Sequence, residues 1–291
     1  MKTQNPGSAR GVIGGLLSGA LVAATMLLGG CAHRSVASFD GELECGPEIK
    51  RVRVEMDNGT IGIVANEEGA PARAMTYAGG VRRDARSAEE LTALEGVATV
   101  LTAQPDPEDP ETLVIRCPSA PKGVQGMIAY EGHIRMPADL PLEIAVTNNG
   151  HVTLTDRRAA TKVTTRRGDL RFERCIGAIE ANTGQGNVIA YEHEGSIDVR
   201  TRLGDMQVFV AKPGDHITLD TGKGTVQCHV PKDIECHADA RAQIGRIGND
   251  FGFEVRKVGE YSAAMTGKIG SAKTEILLRT AAGHISLIAR K

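Results

Sequence analysis

The chain has 291 residues, enough for one large or two small domains, and 41% hydrophobic with 24% charged residues is the balance of an ordinary folded protein. A formal net charge of -2 excludes the global basic excess typical of nucleic-acid partners. With no Trp, five Phe and four Tyr, the core must come from Val, Ile, Leu, Ala and Thr, which suit stacked strands, and 35 Gly imply many turns.

The N-terminus opens with Lys2 and Arg10, followed by an apolar run from Val12 to Leu28 broken only by small residues such as Gly14, Ser18 and Thr25. This is the pattern of a signal peptide over residues 1–30. It ends in Leu28-Gly29-Gly30-Cys31, which resembles the lipobox of bacterial lipoproteins: an aliphatic residue, two small residues, then a Cys whose thiol takes diacylglycerol. The resemblance implies lipidation at Cys31, with Cys31 as the first mature residue and residues 31–47 as a lipidated tether. Palmitate-class chains stabilise such an anchor by about 0.8 kcal/mol per buried methylene. A plain transmembrane anchor is the alternative, and the Gly-Gly-Cys end argues against it. Ala32 after the Cys, where Asp would retain a lipoprotein of Gram-negative type at the inner membrane, implies the outer membrane, at its periplasmic or surface face.

Cys45, Cys117, Cys175, Cys228 and Cys236 remain, an odd number in a compartment where disulfides form. The preferred pairs are Cys228 with Cys236, which flank a turn at Pro231-Lys232-Asp233, and Cys45 with Cys117 in the N-terminal region.

Downstream of the tether, Val52, Val54 and Met56 precede Gly59, and Ile61 and Ile63 follow it. This alternation predicts a strand, a turn and a strand, so the β body begins near residue 48. Residues 64–142 are less regular. Ser87 with Glu90 forms a capping box for a short helix over Ala88 to Glu95. Strands are predicted over Val97 to Ala103 and Thr112 to Cys117. Between them, Pro105, Pro107 and Pro110 remove ladder donors and exclude a central strand. The run Met136-Pro137-Ala138-Asp139-Leu140-Pro141 leads into the regular part, residues 143–291.

The regular part is organised by glycines at 150, 168, 186, 204, 224 and 283. Three residues before each stands a Thr (147, 165, 183, 201, 221, 280), and two residues after stands Val152, Leu170, Val188, Met206, Val226 or Ile285. Five before come Ala145, Val163, Ala181, Val199, Leu219 and Leu278. Period two on both sides of a glycine turn, with the first four glycines 18 residues apart, predicts coils whose apolar side is covered only by their neighbours. The fold expected is all-β, a β-solenoid-like stack, with a β-sandwich as the next choice should neighbouring strands pair antiparallel. The unit at Gly245, with Ala238, Ala240 and Ala242 inside, is degenerate.

Asp57-Asn58-Gly59-Thr60-Ile61, the Met136 to Leu140 entry and the Thr-x-x-Gly-x-Ile/Val units resemble the DUF4097 family of adhesin-like β-strand repeat proteins over roughly residues 48 to 291. The resemblance implies a β-solenoid body on an exported or membrane-anchored protein, and it carries over no catalytic residues.

Cys228-His229 and Cys236-His237 are zinc-type ligands, but adjacent residues on a strand face opposite ways, so no metal site and no cofactor is expected. His133, His151, His193, His216 and His284 fall on different units, and no nucleophile motif accompanies them. The acidic loop at Asp106, Glu108, Asp109 and Glu111 lacks regular calcium-ligand spacing. Arginines cluster between residues 150 and 175, and Arg166, Arg167, Arg200 and Arg202 flank the turn glycines. With coils about 4.8 Å apart, Arg166 and Arg202 fall on one edge about 10 Å apart. Such a ladder suits a polyanion such as an envelope glycan or anionic lipid, while as a solvated edge it would deter sideways association. The function expected is a non-enzymatic envelope lipoprotein with an adhesin-like or scaffolding body, its protein partner unspecified. The alternatives are a polysaccharide-acting enzyme on a β-helix and a sensor of envelope stress.

Overall fold

The computed structural model describes residues 33–290. Residues 1–30 and Cys31 lie outside the described residues. The N-terminal part contains β1 (His33–Leu43), β2 (Arg51–Ala65), β3 (Met75–Ala85), α1 (Ala88–Glu95), β4 (Thr102–Pro105), β5 (Thr112–Arg116) and β6 (Met127–Met136). The repeat follows as β7 (Leu142–Thr155), β8 (Thr161–Arg167), β9 (Leu170–Glu173), β10 (Ile179–Gln185), β11 (Val188–Leu203), β12 (Met206–Lys223) and β13 (Val226–Pro231). The last part holds β14 (Cys236–Ile244), β15 (Ile247–Asn249), β16 (Val255–Lys257), β17 (Ala263–Lys268), β18 (Thr274–Ala282) and β19 (Ile285–Arg290). β1 occupies much of the segment expected as a tether.

The coils stack in parallel, as a solenoid requires. In the row before the turn glycine, Ile179 lies beside Thr161 and Ile197, and Ala181 beside Val163 and Val199. In the row after it, Val188 lies beside Leu170 and Met206. Inward columns of Val163, Ala181, Val199, Leu219 and Leu278 and of Leu154, Phe172, Ala190, Val208, Cys228 and Leu287 are all buried and form one continuous core. No coil encloses its own apolar face, so this burial exists only in the stack.

The Thr-x-x-Gly spacing has a direct cause at the turn. At Gly186, Gly204 and Gly224 the backbone φ is near +153°, and an added Cβ would stand 2.0 Å from the carbonyl oxygen of the glycine one coil earlier. Only glycine allows that approach. The buried Thr hydroxyl then donates to such a carbonyl: Thr183 to Gly168 (3.2 Å), Thr221 to Gly204 (3.0 Å) and Thr280 to Gly224 (3.0 Å). Polar oxygens at an inward corner are thereby satisfied.

The first regular coil departs from the sequence alignment. β7 carries an extra residue between Val146 and Asn149, so Val146, rather than Thr147, faces Thr165, and Ile144, rather than Ala145, faces Val163. Thr147 is exposed and donates to Asp57 Oδ1 (2.8 Å). The cause is a β-bulge, which shifts side-chain parity by one.

Chain order and stack order differ at both ends. β2 lies between β7 and the pair β5/β6, with Gly59 beside Gly150 and Val54 beside both Ile115 and Ile144. At the far end β18 and β19 insert between β12/β13 and β14/β15. The degenerate unit at Gly245 is therefore the outermost parallel coil. Its small inward alanines taper the core, and antiparallel β17 covers it with Met265 opposite Ala240. β3, paired antiparallel with β1 and β6, covers the other end. Antiparallel covers and an internal C-terminal coil limit the exposed parallel edge that would template association.

Helix α1 forms where the capping residues predict it. Ser87 accepts from the Glu90 N–H (3.2 Å), while Glu90 reaches the Arg86 N–H (2.9 Å) instead of that of Ser87. The strand expected over Val97 to Ala103 begins only at Thr102. The Val97 N–H closes the helix end on Leu94, and its carbonyl accepts from Arg83 (3.1 Å), so both polar groups are used before pairing with β5 can begin.

Candidate functional site

The glycine turns build one long edge across the coils. Immediately after five of the six repeat glycines, a side chain bonds to the backbone of an adjacent coil. Asp169 Oδ1 accepts from Asn187 N–H (2.8 Å), Asn187 Oδ1 from Asp205 N–H (2.9 Å), and Asp205 Oδ1 from Thr225 N–H (2.6 Å). His151 and His284 occupy the same column and accept from Asp169 and Arg246 N–H groups (3.2 Å each) through Nδ1. Their role in the fold is thus to satisfy the turn.

On the other side of the glycines lies the arginine edge. Arg166, Gly184, Arg202 and Gly222 follow one another in consecutive coils, since Thr165, Thr183, Thr201 and Thr221 are in register. Two small residues alternate with two arginines, so each guanidinium has free space beside it. Arg166, Arg167 and Arg202 are exposed and make no ion pair with a described residue. Lys223, in the column of Arg167, extends the same edge. Arg200 belongs elsewhere: it sits on the strand face, paired with Asp198 (3.1 Å), and that carboxylate holds it firmly charged. The structure therefore joins three of the four expected arginines. Between coils about 4.8 Å apart, the two-step spacing of Arg166 and Arg202 is about 10 Å.

The five described cysteines are buried, and all are free thiols, so neither Cys228 with Cys236 nor Cys45 with Cys117 is joined. Cys228 lies in the core column beside Val208 and Leu287, where burial pushes its thiol up to about 12. Burial does the same to Cys117. Protonated, buried thiols of this kind behave as small apolar side chains. His229 points to the opposite face from Cys228. Among the described residues no three His, Cys, Asp or Glu side chains converge on a possible metal position.

Two groupings escaped the sequence reading. Arg157, Cys175 and His193, 18 residues apart, form a buried inward column at the second corner. Arg157 donates to the Pro137 and Leu140 carbonyls, and burial lowers its guanidinium to about 10. His193 Nδ1 lies 2.9 Å from the Cys175 carbonyl oxygen and Nε2 lies 3.2 Å from that of Ser196, and the neutral ring donates to one of the two. The second grouping is outward. Five residues after their glycines, Tyr191, Phe209 and His229 stack with ring centroids 5.0 and 4.1 Å apart, and Arg171 lies over Tyr191. The rings spend their faces on one another, so the stack stiffens this sheet face and leaves only edges outward. The 18-residue period, applied beyond the apolar positions, marks both columns.

The family model described as Toastrack DUF4097 matches residues 134–288, more than half of the chain. The chain belongs to this family. The matched segment starts in β6 and includes every regular coil, while β2, in register with β7, lies upstream of it. The chain is similar to three crystal structures. One is titled "a putative adhesin" from Bacteroides fragilis NCTC 9343, with 12% identity, 87% of this chain and 96% of that chain covered, and a TM-score of 0.40. A second, with the same wording, is from Parabacteroides merdae ATCC 43184, at 9% identity, 88% and 96% coverage and a TM-score of 0.36. A third is titled "a putative cell adhesion protein" from Clostridium sporogenes ATCC 15579, at 15% identity, 87% and 100% coverage and a TM-score of 0.33. No curated protein matches the chain.

Proposed function

We propose that the chain is an exported lipoprotein held at the outer membrane through Cys31, with a non-enzymatic, adhesin-like body that contacts polyanionic envelope ligands along the arginine edge. The observation that carries this reading is the row of Arg166 and Arg202, separated by Gly184 and flanked by Arg167 and Lys223, without carboxylate partners among the described residues. Cations left unpaired and exposed on a rigid row attract phosphate- or carboxylate-bearing chains, and the attraction weakens with salt. Carboxylates on the strand faces stand next to cations, as in Asp198 with Arg200, Glu173 with Arg171 and Glu180 with Lys162, which favours a binding surface over a catalytic groove. Among the described residues no helix is long and apolar enough to cross a membrane, and a lipid at Cys31 would supply the attachment.

The test is binding of the chain lacking residues 1–31 to a panel of purified envelope glycans and anionic lipids, beside Arg166→Ala/Arg202→Ala. Binding that salt weakens and the double variant abolishes is the expected result. Binding indifferent to both arginines, or none to any ligand, sinks the arginine-edge reading.

A further inference from the structure

Four of the seven exposed large apolar side chains among the described residues, Ile244, Val255, Val258 and Tyr261, lie in the cap at the end of the stack. Val258 is 70%, Tyr261 64% and Ile244 60% exposed. They are neighbours in space as well as in sequence. The Val258 N–H donates to the Ser262 carbonyl (3.0 Å), which closes a turn with Val258 and Tyr261 on it. The Gly245 N–H donates to the Tyr261 carbonyl (2.9 Å), which fastens the turn beside Ile244. β16 places Val255 and Lys257 opposite Met265 and Ala263, next to the same turn. Arg246 and Lys257 flank the group, exposed and without carboxylate partners among the described residues, whereas Arg256 pairs with Glu254 (3.2 Å). Glu260 is the acidic residue of the turn itself.

We propose that this cap is a membrane-inserting tip that docks on a bilayer containing anionic lipid. The residue types fit an interface: aliphatic side chains enter the acyl boundary, Tyr sits at headgroup depth, and unpaired Arg and Lys meet anionic headgroups. Size argues against a protein partner. A stable protein interface takes roughly 20–30 residues a side, while this group is four exposed apolar side chains around one turn. A bilayer takes up a few exposed apolar side chains without a preformed pocket.

The position gives the tip a purpose. β1, the strand that follows Cys31, pairs only with β3, and β16 pairs only with β17, twelve pairing steps away through β6, β2, β7, β8, β10, β11, β12, β18 and β14. At about 4.8 Å per step the separation is on the order of 55 Å. With the chain anchored at Cys31 as proposed above, the tip reaches a membrane surface other than the patch that holds the lipid. The tip itself does not depend on the arginine edge, which uses different residues.

The test uses the chain without residues 1–31, which keeps every described element, and vesicles of phosphatidylcholine with and without phosphatidylglycerol. The chain has no Trp, so Tyr261→Trp introduces a single indole at the tip. Its emission shifts to the blue with anionic vesicles, stays unshifted with pure phosphatidylcholine, and an indole at Tyr191→Trp stays unshifted with both. Val258→Asp/Tyr261→Asp, checked for native circular dichroism, floats with anionic vesicles at least tenfold less than the parent. An unshifted Tyr261→Trp spectrum, or flotation lost in Arg166→Ala/Arg202→Ala and retained in Val258→Asp/Tyr261→Asp, overturns the tip. Self-association of the free chain that Val258→Asp/Tyr261→Asp abolishes would make the patch a contact between copies and overturns it too.

Discussion

Replacing Gly186 by Ala probes the stack at its centre. The backbone there has φ +153°, and the new Cβ would stand 2.0 Å from the Gly168 carbonyl oxygen. Two costs follow. That backbone region is open essentially to Gly alone, and holding another residue in it costs about 1–3 kcal/mol. Relieving the overlap moves two coils apart in a close-packed core, a distortion that costs about 1–3 kcal/mol more. The sum, about 2–6 kcal/mol, is a large share of the roughly 5–15 kcal/mol that stabilises a folded domain. Urea unfolding followed by circular dichroism measures it, with Gly248→Ala as control because nothing lies within 4 Å of a Cβ there. The control should stay within about 0.5 kcal/mol of the parent. A Gly186→Ala variant equally close to the parent would refute the claim that the glycine column sets the spacing of the coils.

Thr221→Val keeps the volume but removes the donor to the Gly204 carbonyl, so the same assay should show a loss of about 1 kcal/mol, which Thr221→Ser largely restores. Alkylation of the chain lacking residues 1–31 should label no thiol in the native state and all five on denaturation without reductant, whereas a Cys228–Cys236 disulfide would leave three. Burial holds the His193 imidazole below its usual value, so the folded state resists the proton that the unfolded chain accepts near pH 6.5. Stability should therefore be full above about pH 7 and fall as pH drops from there toward the lower folded value; a His193→Gln variant that keeps the same slope would remove His193 as its source.

The interior of the body was legible because its coils share one parity and one turn residue. Leu219 and Ile285 lie where period two places them, and the column of Thr and Gly shows at once why both residues recur. Sequence proximity, however, carries no information on stacking order. β18 is farther along the chain than β14 yet lies nearer the centre, because the alanines of β14 suit an end that tapers beneath Met265. The bulge at Val146 also escaped, since one inserted residue mimics the repeat: Thr147 stands at the expected spacing and faces solvent. At the arginine edge, Arg166, Arg167 and Arg202 follow from their offsets to the glycines, while Arg200 differs because Asp198, two residues before it on the same strand face, captures it. The tip could not be read from periodicity at all, because Val258 and Tyr261 come together through a turn whose hydrogen bonds leave no pattern in the sequence.

Both proposed contacts require the body to be exported and held at a membrane, and Cys31 decides that. The full-length chain, expressed in a Gram-negative host with an alkyne fatty acid, should incorporate the label, lose residues 1–30 and sediment with the outer-membrane fraction, while Cys31→Ser should stay unlabelled and unprocessed. An unlabelled parent chain, or one labelled equally well without Cys31, would contradict the lipoprotein reading and with it the placement of the arginine edge against envelope polyanions.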